Sequence, residues 1–394
     1  MNARVCHARV CHISSVHNGV EIRIVRKQLA TLARAGFDAH LVIPATPAEV
    51  QEMSAMGITT HALQPTPGSG EISRMFKLGY EAMSRARQCM ADLYHFHDPE
   101  LIPYALWLKA RGHHVIMDVH EDLAGVVMHK QWIHPSIRKP VSLISRAVEI
   151  FGARRFDAVV AAVPYLGEIF KASARRTVVV GNFPFLDELA QGSDALPWQQ
   201  RQKVAYVGSV SRIRGIFELV EALPRLNLKL QLAGKFMHPR EYEEIQRVDG
   251  WSLVENHGWV GRGQIREILA TSFAGLCTLY PTSSHLIAEP IKMFEYMAAG
   301  IPVVSSNIPY YQQIVQQADC GICVDPQDPV AIAAAIQYLR DHPAEAERMG
   351  SNGRKAVLSR YNWDQEGEKL VALYRAVLGG CEIPRQQPRA KEIE

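Results

Sequence analysis

The chain has 394 residues, 47% hydrophobic and 21% charged, with a net charge of +3. That length exceeds one ordinary core, so two domains are expected. The charge is too small to argue for nucleic acid, and no window approaches the ~18 uninterrupted apolar residues of a membrane span.

In chain order, Ala3-Arg-Val-Cys-His7 is repeated at once as Ala8-Arg-Val-Cys-His12, and the second copy reads as the first strand. Polar and charged residues interrupt the N-terminal apolar positions, so no signal-peptide pattern is expected there. Strands are predicted near 9–14, 38–43, 58–62, 92–95, 114–118, 157–161 and 176–180, and helices near 20–35, 71–90, 99–111, 136–155 and 164–173. Residues 183–202, with Pro184, Gly192 and Pro197, lack periodicity and read as a linker. A second series follows, with strands near 203–207, 228–233, 252–256, 274–278, 301–304 and 321–324. Three helices close it, near 328–340, 343–358 and 363–378, and the tail 381–394 reads as disordered. Short apolar runs alternating with amphipathic ones predict an α/β fold with parallel sheets. The domains are then 1–182 and 203–362, doubly wound and Rossmann-like, facing across a cleft. The helix 363–380 is expected to cross back to the first. Ligands of such sheets sit outside the carboxyl ends of the strands.

Seven cysteines, an odd number scattered along the chain, form no disulfide framework and point to a reducing cytoplasm. Cys320-Gly-Ile-Cys323 is a lone CxxC with no partner pair, so neither redox nor zinc chemistry is expected of it.

The most informative stretch is Glu289-Pro-Ile-Lys-Met-Phe-Glu-Tyr-Met-Ala-Ala-Gly-Ile-Pro-Val-Val304, preceded by the polar loop Pro281-Thr-Ser-Ser-His285. Pro290 suits the first position of a helix, Gly300 its end, and an apolar strand restarts at Ile301. A loop–helix–strand unit of this kind aims free N–H groups at a ligand above the sheet. Glu295 falls one and a half turns into the helix, within reach of a hydroxyl-rich ligand such as a nucleotide sugar.

This element resembles the donor-site helix of bacterial GT-B glycosyltransferases of the large retaining family 4. The likeness extends to Asn18-Gly19-Val20-Glu21, Tyr94-His-Phe-His-Asp-Pro-Glu100, Asp118-Val-His-Glu-Asp122, Tyr206-Val-Gly-Ser-Val-Ser-Arg-Ile-Arg-Gly215, His257-Gly-Trp-Val260 and Cys320-Gly-Ile-Cys-Val-Asp325. It implies a retaining, metal-independent hexosyl- or N-acetylhexosaminyltransferase in surface polysaccharide synthesis. The donor would be UDP- or GDP-linked and the acceptor a saccharide or a lipid-linked glycan. No cofactor is expected. The enzyme would be cytoplasmic, or peripheral on the inner membrane face. One departure stands out. The family's donor motif has two glutamates separated by seven residues; Glu295 matches the second, Ile287 occupies the first position, and Glu289 is the nearest carboxylate.

Carried over residue by residue, the resemblance makes His120, Arg214 and Glu295 the catalytic candidates. It places Gly19, Ser209, Arg212, Arg214, Val260, Glu289, Pro290, Ile291, Lys292 and Glu295 on the donor. Arginine and helix N–H groups would stabilise the departing diphosphate, with surface-loop arginines as the alternative. Lys292 would join them, or else form a salt bridge to Glu289 or Glu295. Glu295 would accept from the ribose, or pair with Lys292. Gly19 would admit a close approach or a positive φ, or serve as an ordinary turn glycine. His120 would hold a sugar hydroxyl or the acceptor, or else pair with Asp118, Glu121 or Asp122. Asp98-Pro99-Glu100 reads as a plain helix N-terminus. The helix near 136–155 carries Arg138, Lys139, Arg146, Arg154 and Arg155, with Trp132 and Ile133 before it. It either rests on an anionic membrane or turns a charged outer face to water. A GT-B nucleotide-sugar epimerase and a nucleotide-binding module without transfer activity remain the rival readings.

Overall fold

The computed structural model describes residues 8–379 except 18, 20, 65–70, 129, 131, 132, 187 and 189–195, and the side chains of 71–76 are also left aside. The chain divides into two compact units, residues 1–181 with 366–394, and residues 182–365. The first repeat copy, Asn18, Val20, Trp132, residues 187 and 189–195 of the expected linker and the tail lie outside the described residues.

The first unit is built on a seven-stranded sheet: β1 (Arg9–Ile13), β2 (Asp38–Pro44), β3 (Ile58–Leu63), β4 (Leu93–Phe96), β5 (His114–Val119), β6 (Ala158–Ala161) and β7 (Thr177–Val179). The order is β3-β2-β1-β4-β5-β6-β7, every pair parallel. Near-continuous apolar runs explain this, because crossover helices bury both faces of a parallel sheet. Ile13, Val42, Phe96, Met117 and Val159 belong to one fully covered core. From Glu366 onward the helix Trp363–Val377 belongs to this unit, where Tyr374 is fully buried.

The second unit has six parallel strands: β8 (Lys203–Val207), β9 (Lys229–Ala233), β10 (Val254–Gly258), β11 (Ser272–Cys277), β12 (Val303–Ser306) and β13 (Gly321–Val324). Their order is β10-β9-β8-β11-β12-β13, with one apolar cluster on each face. In each unit the strand order reverses once, between β1 and β4 and between β8 and β11. Loops leaving the strands at such a reversal splay apart and open a crevice.

Four expectations need correction. The helix Pro47–Ala55 has no counterpart in the predicted elements; its face is weakly segregated, yet Thr46 and Glu49 form a reciprocal capping box that the sequence spells. The helix expected over 20–35 starts instead as wide π-type turns over Arg23–Leu29 and tightens to α over Ala30–Arg34. Pro290 sits in extended backbone as the N-cap, so the helix is Ile291–Ala298, and the next strand begins at Val303, not at Ile301. Asp98 does not cap the turn that follows it: its buried carboxylate accepts from Ser14 Oγ at 2.8 Å and from the Ser15 amide at 2.6 Å, tying the loops after β1 and β4 together.

Candidate active site

In the second unit the reversal point lies between the loops following β8 and β11. After β8 the chain turns through Gly208 and Ser209 and makes a short 3-10 turn, Arg212–Arg214, that ends on Gly215. Gly215 has φ +73°, and a Cβ there would lie 2.0 Å from the Thr278 carbonyl, so the two loops touch only because the residue is glycine. After β11 comes the polar stretch to Pro290 and then the helix Ile291–Ala298, whose first N–H groups have no preceding turn to bond.

Lys292 stands in the first turn of that helix. Its Nζ lies 3.5 Å from the centre of the Tyr206 ring, is buried, and has no hydrogen-bond partner among the described residues. Both salt bridges open to it in the sequence are therefore unmade. Burial first, and then the Arg214 charge, lower its pKa to about 7. Arg214 Nε and Ser211 Oγ are likewise buried without partners. A cluster of unsatisfied donors around a desolvated ammonium group is costly by itself, and an anion relieves that cost.

Arg212 parts from this group. It is exposed, pairs with Glu244 at 2.9 Å and lies over the Phe217 ring. Ser209 remains beside the site, its carbonyl accepting from Tyr206 at 2.9 Å. Val260 is half-buried next to the exposed Trp259. Glu295 is buried, with Oε1 held at 2.6 Å by Arg262, which also reaches Glu188. Among the described residues Oε2 of Glu295 accepts nothing. Glu289 accepts from Tyr310 at 2.5 Å, and Ile287 is half-buried. Arg262, Glu188 and Tyr310 have no signal in the sequence, because each meets its carboxylate through tertiary packing alone. Burial pushes the Cys320 and Cys323 thiols up to about 12 and about 11, so this CxxC offers no thiolate.

At the reversal point of the first unit the sequence yields more than the resemblance implied. Asp118, at the end of β5, is fully buried beside Arg23 at 3.3 Å, Gln28 at 2.5 Å and His95 at 3.4 Å. Burial alone would raise its pKa, but Arg23 and the surrounding histidines hold it well below the usual carboxylate range. His95 Nδ1 meets the Tyr374 hydroxyl at 2.6 Å, which meets His12 Nε2 at 2.7 Å. His12 Nδ1 meets His97 Nε2 at 2.9 Å, and His97 Nδ1 meets His120 Nε2 at 3.0 Å. His95 Nε2 makes no hydrogen bond among the described residues but faces Asp118 Oδ2 at 3.4 Å, and a proton held there, toward a carboxylate that only accepts, orders every later proton in turn. The series ends with His120 Nε2–H donating inward, which leaves the His120 Nδ1 lone pair for a ligand. Burial lowers the His120 pKa to about 3, so the ring is neutral at any physiological pH. His97, part of the Tyr94–Glu100 stretch, is central to this relay.

Gly19 lies in the loop after β1. Its φ is not positive, its N–H is given to the Pro44 carbonyl at 3.0 Å, and a Cβ would lie 3.0 Å from that of Glu49. A side chain here would crowd Glu49, which would have to shift by a few tenths of an ångström.

Residues 193–356 match the family model of glycosyl transferases group 1, and residues 18–182 match the glycosyl transferase 4-like domain. A glycogen synthase of Mycobacterium tuberculosis is 25% identical over 82% of this chain and 76% of its own. A phosphatidyl-myo-inositol mannosyltransferase of Mycobacterium leprae is 23% identical over 93% of this chain and 96% of its own. Among solved structures, sucrose-phosphate synthase from Thermosynechococcus elongatus superposes with a TM-score of 0.72 at 20% identity, over 94% of this chain and 99% of that one. Anabaena HepE, in complex with UDP and glucose, also gives 0.72, at 15% identity over 94% and 100%. Both halves of the sequence and both sheets thus lead to one place: the chain belongs to the group 1 glycosyltransferases and has the GT-B fold.

Proposed function

We propose that this glycosyltransferase is a retaining, metal-independent enzyme. It takes a hexosyl or N-acetylhexosaminyl group from a UDP- or GDP-sugar and passes it to a saccharide or lipid-linked acceptor in surface polysaccharide synthesis. The observation that carries this reading is the unpartnered pair of donors, Lys292 Nζ in the first turn of the helix Ile291–Ala298 and Arg214 Nε in the turn after β8. A nucleoside diphosphate supplies the anion that these groups lack. As the bond to the sugar breaks, the negative charge on the diphosphate grows, and fixed cations and amides stabilise it more than they do the bound ground state. That places on protein groups the role a divalent cation would otherwise fill. Glu295 Oε2 is available to a ribose hydroxyl while Arg262 fixes the other oxygen. The leaving diphosphate itself draws the proton from the acceptor hydroxyl on the same face, so no protein nucleophile is required. His120 Nδ1 accepts from a sugar or acceptor hydroxyl.

A thermal-shift screen of UDP, GDP and their sugars tests the donor half. The expected result is a shift with one base in the wild type that disappears in Lys292→Met and Arg214→Ala. Equal shifts in all three proteins would remove the diphosphate from this site.

The acceptor side carries a second observation. No described helix is long and apolar enough to cross a membrane. The outer face of the helix Pro135–Ala153 is nevertheless apolar: Leu143 and Ile144 are each 63% exposed, with Ile137, Val148 and Phe151 alongside. Lys139, Arg154 and Arg155 flank this face, whereas Arg146 turns inward to Asp122 and Glu149. An apolar stripe edged by cations suits the surface of an anionic membrane, and we place the enzyme peripherally on the cytoplasmic leaflet. Flotation with phosphatidylglycerol vesicles should fall in Leu143→Ser/Ile144→Ser, and unchanged flotation would exclude this helix as the anchor.

A further inference from the structure

A group of metal-binding side chains lies at the other end of the first sheet, away from the loops that form the reversal-point site. Cys11 on β1 is in register with His40 on β2, and His61 on β3 is in register with Val42, two residues beyond His40. Side chains alternate along a strand, so these three share one face of the sheet. The helix Glu71–Gln88 packs on that face and delivers Cys89 from its end. The donor atoms of His40, His61 and Cys89 all lie within 4.8 Å of one another. The Cys89 thiol donates to the Arg85 carbonyl at 3.4 Å, and Cys11 is fully buried.

We propose that His40, His61 and Cys89 form a zinc site that pins β2, β3 and the end of the helix Glu71–Gln88 together, and that takes no part in glycosyl transfer. The chemistry of the donors is specific: one thiol and two imidazoles supply three of the four ligands of a tetrahedral zinc centre. The geometry is close to what such a centre requires. His40 Nδ1 and His61 Nε2 are 3.0 Å apart, against about 3.3 Å between nitrogens that each bind zinc at ~2.0–2.1 Å in a tetrahedron. The surroundings fit too. His40 Nε2 is 3.2 Å from Asp38 Oδ1, the carboxylate–histidine contact that directs the lone pair of Nδ1 toward a metal. Arg9 then holds the other Asp38 oxygen at 2.6 Å and the Cys89 carbonyl at 3.0 Å, fixing both pieces of the cluster. The Cys89 thiolate offsets part of the charge of the ion, which lowers the cost of burying the group. Asp38 and His61 are only partly covered, and they provide the way in.

The test uses the full chain, stripped with a chelator and titrated with cobalt(II) as a zinc surrogate. One equivalent should give intense visible bands of tetrahedral cobalt and a near-ultraviolet thiolate-to-cobalt charge-transfer band. The band should be lost in Cys89→Ser and weakened in His61→Asn, and zinc should displace it. Another cluster, His95, His97 and Asp118, could hold an ion but contains no sulfur. Cobalt bound without the charge-transfer band therefore overturns the proposal. A parallel measurement needs no variant: zinc should slow alkylation of Cys89 by iodoacetamide in the native protein at least tenfold. An equal rate with and without zinc would leave only a hydrogen-bonded histidine–cysteine cluster and would also overturn it.

Discussion

Lys292 supports a quantitative prediction about donor binding. Its pKa is lowered from 10.5 to about 7 because its burial and Arg214 disfavour the charge. A diphosphate seated against Nζ supplies the missing counter-charge and returns the group toward its ordinary value, a change equivalent to about 4–5 kcal/mol at 1.36 kcal/mol per unit. At pH 8 a lysine of pKa about 7 is about one-tenth charged, so binding should draw about 0.9 proton from the buffer. At pH 6 the uptake due to Lys292 should fall to about 0.1. The higher pH is the better place to measure, since a terminal phosphate of pKa about 6 is then already ionised. Calorimetry of UDP or GDP binding in phosphate and in Tris gives the proton count as the slope of apparent enthalpy against buffer ionisation enthalpy. A slope near zero at pH 8, or the same slope in Lys292→Met, would refute the reasoning. The linkage also has a stability side. A lowered lysine pKa costs folding free energy in full below about 7, and the cost fades as pH rises toward 10.5. Lys292→Met should therefore stabilise the ligand-free protein at pH 6–7, by about 1–4 kcal/mol, while abolishing its response to nucleotide.

Other variants separate the remaining roles. Glu295→Ala should reduce transfer at least a hundredfold in a protein of normal circular dichroism, and wild-type turnover would remove Glu295 from the site. Gly215→Ala should destabilise by more than about 1 kcal/mol, measured by urea denaturation, because both φ and the Thr278 carbonyl oppose a side chain. Tyr374→Phe keeps the ring but interrupts the histidine relay, and should cost about 1–3 kcal/mol. It should also mix the tautomers of His120, as read from its imidazole nitrogen shifts; unchanged shifts would mean the relay does not set them.

Much of the fold was legible because parallel sheets leave a plain trace. Strands buried on both faces are short apolar runs, and all thirteen described strands coincide with or overlap predicted ones. The misses have local causes. In Pro47–Ala55 polar and apolar residues are poorly segregated, so periodicity missed the helix although Thr46 and Glu49 signal its start. Nothing in the sequence marks the π-type turns over Arg23–Leu29, since they depend on how Arg23 and Gln28 reach Asp118 across the sheet.

The site divides along the same physical line. A residue whose role depends on backbone position is visible in sequence: Lys292 and Arg214 follow strand ends next to a helix start, and the structure leaves their donor atoms unpartnered. Side-chain partners are invisible, and they alter what the carboxylates can do. Glu289 was the substitute for the missing first glutamate, and its Oε1 accepts from Tyr310, a partner the sequence does not announce. Glu295 keeps a usable oxygen only because Arg262 binds the other one. Arg262 thereby fixes the carboxylate before any ligand arrives, and in doing so competes with a ribose for its charge. If positioning outweighs competition, Arg262→Ala weakens donor binding; if competition wins, it tightens it. Positioning is expected to prevail, because a buried carboxylate stripped of its cation loses the partner that fixes its orientation and offsets the cost of its burial. Nucleotide affinity that rises in Arg262→Ala would reverse that ordering.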